Sequence, residues 1–192
     1  MVRMHLKYRK PASGKMGEDG EWKWENVTWV DCWCGMKHSN RVIPDKFWDR
    51  VWARSTKPKR TGGILLWRLN GYGEKMFFLV QSYGNLYGVP KGCIEDGETY
   101  FEGACREFHE ETGTKIDFLQ KNCHEVRRVI GDSQMSVFIM RVDDSFTIDT
   151  LPKTDVEISS FGFINSKNLK NVKLNRVTKD ALSIIERAGN VF

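Results

Sequence analysis

The stretch Gly92 to Thr114, GCIEDGETYFEGACREFHEETGT, decides how this chain is read. Glu107, Glu110 and Glu111 stand at i, i+3 and i+4, so on a helix they share one face. Carboxylates packed that closely repel, and the spacing alone reads first as a solvated acidic face. A divalent cation that prefers oxygen ligands reverses the sign of that interaction. Three carboxylates with waters and phosphate oxygens suit Mg²⁺ or Mn²⁺. The spacing predicts a helix over Glu98 to Thr112, with Gly113 in the place of a C-terminal cap.

Outward from this helix the pattern alternates between strand and turn. Ile64 to Leu69 and Lys75 to Gln81 read as a hairpin around Asn70-Gly71-Tyr72-Gly73, with Asn-Gly as the turn signal. Gly84 to Gly92 reads as a Gly-rich loop. Glu125 to Ile130 and Met135 to Val142 predict a second hairpin, and Ile158 to Ile164 a further strand. Asn175 to Ala188 predicts an amphipathic helix with Val177, Ala181, Ile184 and Ala188 on one face. Strands and helices interleave without strict βαβ alternation. The expected class is therefore α/β in the broad α+β sense, a mixed β-sheet between helices.

The N-terminal third differs. Residues 1–20 are polar and aperiodic and read as a flexible basic terminus. Residues 21–60 hold six of the seven tryptophans and read as an accessory segment, with a short helix over Pro44 to Arg54. Residues 61–192 form the main domain. Charge divides the same way. Residues 1–60 carry +7, residues 61–160 carry −6 and residues 161–192 carry +4, within a total of +5. An acidic centre suits a metal and basic flanks suit a polyanion. No apolar run reaches bilayer length and no signal core is evident, so a cytoplasmic protein is expected. The five cysteines are read as reduced thiols.

The wider pattern around the three glutamates is more specific than the glutamates themselves. Gly92, Glu98, Arg106, Glu107, Glu110, Glu111 and Gly113 stand at the spacing of the Nudix box, and the chain resembles the Nudix hydrolases. Phe108 and Thr114 depart from the usual aliphatic choice, and Ile116 is expected to pack in place of Thr114. The resemblance implies an enzyme that cuts phosphoric anhydride bonds in nucleoside diphosphate derivatives. It implies metal binding by Glu107, Glu110 and Glu111, with the Gly92 carbonyl nearby. It also implies that Arg106 pairs with Glu98 to hold the loop and helix, with Gly113 supporting the turn that follows. Glu110, Glu111 and Arg106 are the catalytic candidates.

Within the family, Tyr87-Gly88-Val89-Pro90-Lys91-Gly92 resembles the lead-in of the mRNA-decapping branch. That likeness implies hydrolysis of the 5′ cap to methylated GDP and 5′-monophosphate RNA, in the host cytoplasm if the chain is viral. The alternative is a hydrolase of dinucleoside polyphosphates or inositol pyrophosphates, and a third reading is an inactive RNA-binding module. Glu157 is the candidate for an additional base or metal ligand. Lys91 in the lead-in, and Lys167, Lys170, Lys173 and Arg176 on a row spaced by threes that continues to Lys179, are the candidates for binding RNA or phosphate. Tyr87, Phe161 and Phe163 are the base-stacking candidates. Cys32-Trp33-Cys34 loosely resembles the zinc knuckle of some large-DNA-virus relatives. Its spacing is too tight for the usual C-x₂-C, so zinc is not expected.

Overall fold

The computed structural model describes residues 60–81, 86–116, 120–130, 133–148 and 158–187, together with the backbone of four short N-terminal strands. Those four are β1 (Ser13–Met16), β2 (Trp22–Glu25), β3 (Trp29–Asp31) and β4 (Lys37–Ser39). The helix expected over Pro44 to Arg54, the Cys32–Cys34 pair and Glu157 lie outside the described residues.

The remaining elements follow in chain order. They are β5 (Arg60–Leu69), β6 (Lys75–Gln81), β7 (Tyr87–Gly88), β8 (Lys91–Cys93) and α1 (Tyr100–Thr112). Then come β9 (His124–Ile130), β10 (Ser133–Arg141), β11 (Ser160–Asn165) and α2 (Arg176–Arg187). The main sheet runs β3-β4-β11-β6-β5-β10-β9, with β7 on β6 and β8 on β5. Its β5–β10 pair is parallel, while β9 and β6 flank that pair antiparallel. β4 pairs with β11 through Ser160 opposite His38, so part of the Trp-rich segment extends the sheet. The architecture is the mixed sheet between helices that the sequence predicts.

The alternation of the strands builds two cores. Ile64, Leu66, Phe78, Val80, Phe138 and Met140 pack against Ala104 and Phe108 of α1. Leu65, Trp67, Phe77, Leu79, Val137 and Ile139 face the other way, against Ala181, Leu182 and Ile185 of α2. Successive strand residues point to opposite faces, so each strand serves both helices. Each fully buried large apolar side chain contributes about 1.5–3 kcal/mol. The packed face of α2 is centred on Thr178, Ala181, Leu182 and Ile185, while Val177 and Ile184 are only partly buried.

One irregularity positions the site. β5 and β6 pair only near their turn, from Trp67 opposite Phe77 to Leu69 opposite Lys75. Beyond that the two strands part. β6 takes β7 as partner at Val80 and Gln81. β5 takes β8 at Thr61 to Gly63. The segment expected to be a Gly-rich loop therefore crosses from one strand to the other inside the sheet. Pro90 sits at the crossing, where its missing N–H breaks no ladder, and its carbonyl accepts from Ile64 N at 3.1 Å. β5 begins at Arg60, earlier than Ile64, because β8 gives Gly62 and Gly63 a partner.

Both helices start later than the periodicity predicts, for one reason. Their first polar residues cap them. Thr99 and Glu102 form a reciprocal capping box on α1, with Thr99 N donating to Glu102 Oε2 at 2.8 Å and Glu102 N to Thr99 Oγ1 at 3.2 Å. Gly113, at φ 69°, closes α1 by donating to the His109 carbonyl at 2.7 Å. Asn175 caps α2 by accepting from Thr178 N at 2.9 Å.

Gly62 brings α1 onto the sheet. A Cβ there would lie 2.7 Å from the Tyr100 carbonyl oxygen and 3.1 Å from Ala104 Cβ. Gly62→Ala is expected to lower stability by about 1–3 kcal/mol, as overpacking does. Gly71→Ala, at the turn where nothing lies within 4 Å, is the matched control. Equal urea midpoints for the two variants would refute the tight helix–sheet approach.

Candidate active site

β8 and α1 meet in a loop whose shape is held by a single guanidinium. Arg106 Nε donates to Glu98 Oε1 at 2.8 Å and its Nη2 to Glu98 Oε2 at 3.1 Å, a two-pronged pair. Its Nη2 also donates to the Cys93 carbonyl at 2.7 Å. Its Nη1 reaches Glu107 Oε1 at 3.0 Å and Glu110 Oε2 at 3.2 Å. One side chain thus ties the end of β8, the residue before the helix cap and two helix glutamates. The Arg106 guanidinium beside it, with the Glu95 amide, holds the Glu98 carboxyl below the usual carboxylate range. Those same carboxylates raise the already high basicity of Arg106 further.

The glutamates themselves differ in surroundings. Glu107 lies against Gly92, where any Cβ would collide with its carboxylate. Glu111 Oε2 accepts from Lys91 N at 3.1 Å. Glu110 is the exposed one, with 55% of its side chain accessible. Gly103 gives Glu98 room, since a Cβ there would stand 2.9 Å from Glu98 Oε2. Glu107 and Glu111 therefore sit beside the Lys91–Cys93 strand, while Glu110 is tied to it through Arg106. Among the described residues, no three His, Cys, Asp or Glu side chains are gathered as a formed cation cage. The donors present are nonetheless oxygen atoms, which match a hard divalent cation.

The other candidates fall into two groups. Tyr87 is 5% exposed, Phe161 0% and Phe163 8%. All three belong to the cores, and Arg68 covers the Phe163 ring at 4.4 Å. Buried in this way, the three base-stacking candidates present little ring surface to solvent. The row of basic residues is also broken. Ser166–Asn171 forms a 3-10 helix, residues 172–175 belong to no helix, and α2 begins at Arg176. Lys167 pairs with Glu74, whose pKa is lowered to about 2 chiefly by that contact. Lys170, Lys173, Arg176 and Lys179 are exposed. Lys173 and Arg176 flank a segment bound to β7, where Tyr87 N donates to the Lys173 carbonyl at 2.8 Å and Asn175 N to the Tyr87 carbonyl at 2.9 Å.

The sequence reading missed the Cys93 carbonyl, the Lys91 amide, Asn175 and Thr178. The first two are backbone groups that carry no residue signature. The last two lie more than 80 residues from the strand they touch.

The NUDIX domain model matches residues 59–186, more than half of the chain. The chain belongs to the Nudix family. It is 33% identical over 90 residues to the nucleoside triphosphate pyrophosphatase/Nudix hydrolase fusion protein of Bifidobacterium longum, a match covering 43% of this chain and 15% of that protein. Its fold is similar to that of a bifunctional NMN adenylyltransferase/ADP ribose pyrophosphatase from Francisella tularensis. The TM-score is 0.55 at 18% identity, covering 74% of this chain and 45% of that one. The NUDIX domain of Shewanella oneidensis NrtR, solved with ADP ribose, gives a TM-score of 0.51 at 15% identity over 77% of this chain and 97% of that one. Among the described residues no helix is long and apolar enough to cross a membrane.

The Arg106–Glu98 pair makes a pH prediction. Glu98 has a folded pKa below its usual value of 4.5. Its contribution is full above that value and is lost as pH falls through the lowered folded value. Urea denaturation of wild type and Glu98→Gln should show a stability gap at pH 7 that narrows by pH 3. A gap of constant size would exclude the ion pair as its source.

Proposed function

We propose that the chain is a Mg²⁺- or Mn²⁺-dependent pyrophosphohydrolase for small nucleoside diphosphate derivatives, such as dinucleoside polyphosphates or compounds of the ADP-ribose type. The observation that carries the reading is the Arg106 cluster, which assembles Glu98, Glu107 and Glu110 beside Gly92. Glu107, Glu110 and Glu111 would hold the cation, with the Gly92 carbonyl beside them. Bound there, such a cation would neutralise phosphate charge and would make water a stronger nucleophile. Arg106 keeps the carboxylates on one side of the loop, and the Glu98 carboxylate holds Arg106. The missing Cβ of Gly92 leaves room for the Glu107 carboxylate. Glu157 is kept as the proposed base.

The substrate choice follows from what is buried. Among the described residues Tyr87, Phe161 and Phe163 lie in the cores and the basic row is split, which favours a small substrate over an RNA track. The likeness in fold to the Francisella and Shewanella proteins is compatible with small nucleotides. Inositol pyrophosphates, which carry no nucleoside, are the other small-molecule substrate class, for which the exposed Lys173 and Arg176 would offer phosphate contacts. Capped RNA is the second reading. It is favoured by Lys91 in the lead-in and by the stitching of the Lys173–Arg176 segment to that lead-in.

With Mg²⁺ or Mn²⁺ present, diadenosine polyphosphates and ADP-ribose are expected to be cut faster than capped RNA. Release of methylated GDP from capped RNA, with the small nucleotides untouched, would replace this substrate reading by the second one. Glu110→Gln is expected to remove metal-dependent turnover with the melting temperature retained. Gly92→Ala is expected to weaken metal affinity about 10–100-fold, the size of effect seen when groups supporting a metal ligand are altered. Turnover surviving in Glu110→Gln would move the metal elsewhere.

A further inference from the structure

The crossing strand that carries Lys91 and Gly92 is held from the side of the sheet opposite the catalytic helix. Thr178, on the first turn of α2, is 0% exposed. Its Oγ1 accepts from Val89 N at 3.1 Å. Its own amide donates to the Asn175 side chain at 2.9 Å. The Asn175 side-chain amide occupies the space that a Cβ on Gly88 would fill. Leu174 forms a parallel bridge with Tyr87, and the two backbone bonds of Tyr87 to Lys173 and Asn175 complete the seam.

We propose that Asn175 and Thr178 are positioning residues for the catalytic loop, acting through the backbone from Gly88 to Gly92. Val89 is fixed by Thr178. Two residues on, the Lys91 amide is bonded to Glu111, and Gly92 then lies against Glu107. A buried N–H leaves its acceptor only at a large penalty, so the Thr178 hydroxyl holds Val89 in one place. The β5–β6 split gives that hold its purpose. The crossing strand has few ladder bonds of its own, because β7 is two residues long and β8 three. A displacement of α2 at its N-terminus would therefore reach Glu111 and Glu107 through four residues of chain. Sites 1 Å too loose lose metal affinity and rate.

The inference rests on the metal reading of Glu107 and Glu111, and the test keeps the two apart. Thr178→Val keeps the volume and removes the acceptor, while Thr178→Ser keeps the hydroxyl. Mn²⁺ binding is titrated by electron paramagnetic resonance, turnover is split into kcat and KM, and amide exchange is followed at Val89 and Lys91. For a folded Thr178→Val we expect Mn²⁺ affinity about tenfold weaker. We also expect a fall in kcat larger than any change in KM, and faster exchange at Val89. Thr178→Ser should return all three towards wild type. A folded Thr178→Val with wild-type Mn²⁺ affinity and kcat overturns the proposal. Should that variant not fold, Asn175→Ala is read in the same way, and unchanged Mn²⁺ affinity there overturns it equally. If wild type binds no Mn²⁺ while Thr178→Val still speeds exchange at Val89 and lowers kcat, the metal reading fails and the positioning role stands.

Discussion

A single guanidinium holds four parts of the β8–α1 loop and helix together. Glu98, Glu107 and Glu110 bring three negative charges close to one another, and such a cluster opposes itself. Arg106 offsets that repulsion at a centre it shares with the Cys93 carbonyl. Its five donors lie in one plane, so satisfying Glu98 with two of them fixes the direction of the rest. Lysine in that place would supply the charge without the geometry. Every other feature of the site assumes that the Glu98 loop and the helix stay in this register.

The sheet is shaped to deliver backbone to that centre. Had β5 and β6 paired along their full length, no strand edge would be free to receive Lys91 to Cys93. Their separation beyond Trp67 and Phe77 opens two edges, and the chain from Tyr87 to Cys93 satisfies both. Gly62 and Gly63 are needed because α1 and the crossing strand approach β5 closely at that point. The strand that looks like a loop in the sequence is thus a structural wedge, held on one face by α1 and on the other by α2.

The two helices serve the site differently. α1 carries the acidic face and is fixed at both ends, by the Thr99–Glu102 box and by Gly113. α2 contributes none of these glutamates, yet its first turn bonds Val89, two residues before the backbone that they touch. Burial of Thr178 rather than an apolar residue on this face is otherwise a loss of packing, and its bond to Val89 offsets it. Electrostatic support therefore comes from one layer of the fold and geometric support from the other.

The Gly92–Glu98–Arg106–Gly113 framework was legible in the sequence through its resemblance to the Nudix box, whose members all fall within 22 residues. Helical period put the glutamates on one face, and the flanking residues needed a glycine approach, a carboxylate partner and a left-handed cap. Alternation in the strands likewise announced a two-faced sheet, since neighbours in a strand point in opposite directions wherever they are placed. Sequence reading failed where the deciding partner was remote. Tyr87, Phe161 and Phe163 looked available for stacking, but an aromatic ring carries no mark of whether a helix or strand will cover it. The basic residues looked like one row, but the 3-10 helix ends at Asn171 and Asn175 caps a separate helix, so the row is divided between Lys170 and Arg176. The split of β5 from β6, the Lys91 amide on Glu111 and the Thr178 hydroxyl on Val89 exist only after distant segments have met. Local pattern determined the helix that carries the acids, and tertiary packing alone decided which backbone atoms would face them.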